Sequence, residues 1–80
     1  MKKLPQDLSA SDLLKKLKVL GYIPTRQAGS HIRLTTEKNG IHHVTIPNHS
    51  PLKIGKLSGI LKDISNHFKL SKEDLIDQLF

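Results

Sequence analysis

The stretch Ser30-His-Ile-Arg-Leu-Thr-Thr-Glu-Lys-Asn-Gly-Ile-His-His-Val-Thr-Ile-Pro47 holds two segments in which apolar and polar residues alternate. Period two is the signature of a strand with one buried face. Ile32 and Leu34 share a face in the first segment, Ser30–Thr36. Val44 and Ile46 share one in the second, Ile41–Pro47. Cross-strand partners must lie on the same face, and this fixes the register. A two-residue Asn39-Gly40 turn would set Leu34 opposite Thr45 and mix the faces. A three-residue Lys38-Asn39-Gly40 connection sets Leu34 opposite Val44 and Ile32 opposite Ile46, with Gly40 as the left-handed residue such loops need. Arg33, Thr35, His43 and Thr45 then occupy the face away from the core, and His31 stands at the open end of the same row.

Upstream, Tyr22–Gln27 reads as a short edge strand, because Pro24 cannot donate to a ladder. Before it, Ser9-Ala-Ser-Asp12 resembles a capping box, and Leu13, Leu14, Leu17 and Leu20 recur at helical spacing until Gly21 supplies a stop. Lys15, Lys16 and Lys18 fall on the opposite side of this helix, either as a solvated face or as a stripe facing RNA. Downstream, Pro47–Pro51 is a loop. Ile54, Leu57, Ile60, Leu61, Ile64 and Phe68 mark a second amphipathic helix. Gly55 and Gly59 lie one turn apart on it, a spacing expected to let the helix approach the sheet closely. A third helix opens at Ser71, with Asp74 three residues on and Leu70 placed to staple onto Leu75. Leu75, Ile76, Leu79 and Phe80 are expected either to dock on the body or to serve a protein partner. The elements predict an α+β fold of order α-β-β-β-α(-α), a three-stranded antiparallel sheet with helices on one face and the other face open.

A chain of 80 residues supports one core, so residues 1–80 are expected to form a single domain, burying only roughly 60% of the unfolded surface. Chemistry is therefore expected at the surface. The absence of Cys removes disulfides and thiolate metal sites and points to a reducing cytoplasm. Neither a membrane span nor an apolar signal core is present. Thirteen Lys and Arg against seven Asp and Glu leave a formal net charge of +6, which favours polyanionic partners. The excess is concentrated: residues 1–62 hold eleven of the bases and three of the acids.

The five His lack metal-ligand spacing. Adjacent His42 and His43 point to opposite sides of a strand, and no HExxH or HxH is present, so no metal or cofactor is expected. No nucleophile elbow surrounds a Ser, no Walker loop cradles phosphate, and the body lacks paired carboxylates, which argues against acyl transfer, nucleotide hydrolysis and glycoside hydrolysis. A lone His can still cleave RNA, because the ribose 2′-hydroxyl is an internal nucleophile that needs only proton transfer and charge stabilisation. His31 follows Gly29-Ser30, where backbone N–H groups can approach a phosphate, and Arg33 shares its strand face. The plain alternative is a surface His at a strand edge.

Three pieces in order, Gly29-Ser-His-Ile-Arg-Leu34, His43-Val-Thr-Ile-Pro-Asn-His49 and Leu52-Lys-Ile-Gly-Lys-Leu-Ser-Gly-Ile-Leu-Lys62, resemble the HicA family of bacterial toxins, mRNA interferases of two-gene toxin–antitoxin systems. The likeness spans roughly residues 9–79. It implies a fold similar to double-stranded-RNA-binding domains, a ribosome-independent endoribonuclease acting on mRNA, and neutralisation by a HicB-type antitoxin. It maps the catalytic role onto His31. Backbone access and basic charge make Gly29, Ser30, Arg33, Lys15, Lys16 and Lys56 the expected RNA contacts. His43 and His49 are candidates for a second acid–base role or for ordering a loop. The family pattern often has a further His and an aromatic residue after the motif, where this chain has Ile32, Arg33 and Leu34. Two rival readings use the same features: a non-catalytic nucleic-acid-binding module, and a small adaptor that docks through its apolar tail.

Overall fold

The computed structural model describes residues 4–49 and 51–80. Helix α1 (Ala10–Leu17) begins where Ser9 closes a reciprocal cap. Its hydroxyl accepts from the Asp12 amide at 3.1 Å, and the Asp12 carboxylate accepts from the Ser9 amide at 3.4 Å. Those bonds occupy amides that a helix start leaves without intrahelical partners. The helix tightens into a 3-10 turn over Lys18–Leu20 and stops at Gly21, whose φ is 84°. That left-handed conformation favours glycine, and the space does too: a Cβ would lie 2.7 Å from the Thr36 hydroxyl oxygen.

Strands β1 (Ile23–Ala28), β2 (His31–Thr36) and β3 (His42–Pro47) form one antiparallel sheet in the order β1-β2-β3. The register is the one that the alternation predicts, with Leu34 opposite Val44 and Ile32 opposite Ile46. The hairpin ladder closes one pair earlier than expected, at Thr36 opposite His42, so Glu37 and Ile41 join the connection. Asn39 and Gly40 carry it through φ values of 58° and 93°. Strand β1 is an edge, as Pro24 requires, and its register shifts between Pro24 and Arg26.

Helix α2 (Ile54–Phe68) crosses to the sheet's buried face, and α3 (Lys72–Leu79) packs against α2. Ser71 caps α3 by accepting from the Asp74 amide at 3.0 Å. Leu13 and Leu17 of α1, Leu34 and Ile46 of the sheet, Leu57, Leu61 and Ile64 of α2, and Leu75 of α3 are fully enclosed in one cluster. Ile76 and Leu79 are buried in it as well. The C-terminal apolar residues therefore dock on the body, which leaves an adaptor little apolar tail surface to offer.

The expected role of Gly55 and Gly59 is overturned. Both are exposed, and a Cβ on either would meet nothing within 4 Å. Leu57, Leu61 and Ile64 turn the buried face of α2 toward the sheet, so the glycines fall on the outer side, where close approach to a strand is not at stake. Among the described residues, no helix is long and apolar enough to cross a membrane.

Candidate active site

The turn joining β1 to β2 has only Gly29 and Ser30 between the paired residues Ala28 and His31. Gly29 takes the left-handed conformation at φ 58°, the positive φ that a two-residue type II′ hairpin needs at its first central position. The Asn48 amide donates to the Ser30 carbonyl at 2.5 Å, tying the segment after β3 to this turn. His31 therefore starts β2 from a braced corner. Its imidazole is exposed and makes no hydrogen bond among the described residues.

A groove of about 910 Å³ runs from His31 between β3 and the outer side of α2. His31, Thr45, His49, Lys53, Lys56 and Asp63 supply its polar lining, and Gly55 and Gly59 leave bare helix backbone along one wall. His49 reaches the groove from the segment after β3. Its carbonyl accepts from the Ala10 amide at 3.2 Å, and its own amide donates to the Pro47 carbonyl at 2.9 Å. The main chain thus does the loop-ordering, and the exposed imidazole has no hydrogen bond among the described residues.

Arg33 lies exposed on the outward face, directly opposite Arg26 on β1 and Thr45 on β3. Regular alternation would set Arg26 opposite Ile32. The bulge after Pro24 instead turns both Thr25 and Arg26 outward: the Thr25 and Thr35 hydroxyl oxygens are 2.8 Å apart while Arg26 pairs with Arg33. Like charges placed directly opposite oppose strand pairing, so the bulge concentrates positive charge beside His31 at some cost to the sheet. His43 stands elsewhere. It is opposite Thr35, bonded to that hydroxyl through Nδ1 at 2.8 Å, and four strand residues from His31, about 14 Å at ~3.4 Å per residue. Lys15 and Lys16 are exposed on α1 and do not line the groove.

A second cluster joins the hairpin to α2. The buried Tyr22 hydroxyl lies 2.7 Å from His42 Nδ1, and His42 Nε2 lies 3.3 Å from Asp63 Oδ1. Burial, with the nearby Asp63 carboxylate, raises the Tyr22 hydroxyl's pKa above the ordinary phenol range. An ionised Asp63 can only accept, so Nε2 carries the hydrogen, and a neutral His42 receives the Tyr22 O–H at Nδ1. The His67 ring stacks on that of His42 at 4.4 Å, donates from Nε2 to the Lys38 carbonyl at 2.9 Å, and sits beside Phe68. Asn39 Nδ2 donates to the His67 carbonyl at 2.8 Å. Among the described residues no group of three or more His, Asp or Glu is placed to hold a metal ion.

Sequence reading had not singled out Lys53 or the Tyr22–His42–Asp63 chain. One signal for the chain was present: His42 shares its strand face with Val44 and Ile46, an inward position where an imidazole needs partners.

The fold and this surface define a small basic α+β protein whose exposed imidazoles, His31 and His49, line a cationic groove. Residues 10–65, more than half of the chain, match the HicA toxin family of bacterial toxin–antitoxin systems, and the protein belongs to that family. Membership brings with it an antitoxin as partner. No curated protein and no solved structure matches the chain.

Proposed function

We propose that this protein is an endoribonuclease toxin that cleaves mRNA in the cytoplasm without a metal ion, and that a HicB-type antitoxin neutralises it. The observation that carries the reading is the pair of exposed imidazoles, His31 and His49, on one groove with Lys53 and Lys56. In this mechanism one imidazole removes the proton from a ribose 2′-hydroxyl, whose oxygen attacks the adjacent phosphorus. The bond to the 5′-oxygen breaks, and the other imidazole protonates that leaving oxygen. His31 holds the first role and His49 the second, each supplying roughly 10²–10⁴-fold in rate. Arg33 and Lys56 stabilise charge developing on the phosphate, and the Gly29-Ser30 turn presents backbone to it. Lys15 and Lys16 extend the electrostatic footprint. His43, bonded to Thr35 and outside the groove's lining, serves the outward face of the sheet.

The test is the chemistry of the cut ends. With EDTA present, purified protein is expected to leave a 2′,3′-cyclic phosphate, or its opened product, on the upstream fragment and a 5′-hydroxyl on the downstream one. Strict magnesium dependence with 3′-hydroxyl ends would contradict the mechanism, and binding without cleavage would favour a non-catalytic module.

A further inference from the structure

We infer that Asp63, with Gly59 one turn before it, forms a nucleobase subsite in the same groove, and that the Asp63 carboxylate selects guanine. This rests on the reading of the groove as the RNA site.

Charged and polar side chains are spaced along the groove among apolar ones. Lys53, Lys56, His31 and His49 supply its basic lining, and Asp63 is the acid among the lining residues. Asp63 lies ten residues beyond Lys53, about 15 Å along a helix rising 1.5 Å per residue. An ionised carboxylate repels phosphate and only accepts hydrogen bonds, so the part of an RNA strand it suits is a base edge carrying N–H groups. Guanine offers two adjacent donors, N1–H and N2–H. Adenine and cytosine offer an amino group alone, and uracil a single imino group, N3–H.

The carboxylate is aimed rather than loose. Oδ1 is held 3.3 Å from His42 Nε2, and His42 is held in turn by the buried Tyr22 hydroxyl at 2.7 Å. Oδ2 has no protein partner among the described residues, and the side chain is 59% exposed, so it remains available to a ligand. Even as a full ion pair, a contact that exposed would contribute little to stability, so the fold does not require this carboxylate. Beside it, Gly59 occupies a helix interior that disfavours glycine relative to alanine, yet a Cβ there would meet nothing within 4 Å. Packing does not require that glycine; a flat ring laid against bare helix backbone would. The half-buried Ile60, also in the lining, offers apolar contact to the ring.

The experiment is to cleave a random-sequence RNA pool with wild type, Asp63→Asn and Gly59→Leu, and sequence the ends. The wild type is expected to enrich guanine at one fixed offset from the cut bond. Asp63→Asn, which replaces an acceptor with a donor, is expected to reduce that enrichment by about tenfold, the scale of one specific base contact. Gly59→Leu fills the subsite and is expected to do the same with helix content and Tm undiminished. A cleaving wild type without guanine enrichment, variants that keep the enrichment, or an Asp63→Asn loss equal at every site would overturn the subsite while leaving the nuclease reading intact. A wild type that cleaves no RNA would overturn both.

Discussion

Gly21 and Gly59 are chemically identical and energetically opposite. At Gly21 the backbone is left-handed and a Cβ would press on the buried Thr36 hydroxyl, which itself donates to the Leu20 carbonyl at 2.7 Å. Gly21→Ala is expected to cost about 1–3 kcal/mol. Gly59→Ala places a methyl group in open space on a regular helix and is expected to stabilise by up to about 1 kcal/mol. Chemical denaturation of the two variants checks both signs; equal effects would contradict the account. Asp12 belongs to the same scale. Its hydrogen bonds to Ser9 hold its carboxyl below the usual carboxylate value. The folded pKa is depressed, so the cap's contribution is complete above the unfolded value of about 3.9 and disappears as pH falls through the folded one. In Ser9→Ala, an NMR titration is expected to find Asp12 moved up toward the ordinary range.

At the scale of elements, the hairpin was legible because period two admits only registers that keep faces consistent, and Leu34 with Val44 satisfied that condition. The caps at Ser9 and Ser71 were legible because capping is a property of three or four adjacent residues. Gly55 and Gly59 were misread because a glycine pair signals close approach without naming what approaches, and that depends on which side of α2 faces the sheet. The His42 chain was hidden for a related reason: Tyr22, His42 and Asp63 meet only after β1, β3 and α2 are assembled. His31 was readable through its place after Gly29-Ser30, whereas the association of His49 with the same groove depended on the path of the segment after β3. The fate of the tail was likewise undecided until α3 was seen on α2. Leu75→Ala is therefore expected to destabilise by about 2–5 kcal/mol in urea unfolding. A loss near zero would mean that α3 does not dock.

For the whole molecule, charge and shape converge on one surface. Most of the basic excess lies before residue 63, and the open sheet face carries Arg26 and Arg33 beside His31. If the groove grips phosphate, Lys53→Ala and Lys56→Ala should each weaken RNA binding across sequences and lower the slope of log affinity against log salt by up to about one unit. Unchanged slopes in both would return these lysines to a solvated face. An acidic antitoxin surface covering the same face would be steered to it electrostatically and would exclude RNA. The co-expressed complex is then expected to be inactive and to protect His31 and Arg33 from chemical modification. A complex that left His31 reactive and cleavage intact would contradict this. The most direct measurement is single-turnover cleavage of a defined RNA in EDTA by wild type and by His31→Ala, with circular dichroism and Tm recorded on the same preparations. The account predicts a folded His31→Ala protein whose cleavage falls by at least about 10²-fold. A folded variant cutting at the wild-type rate would contradict it.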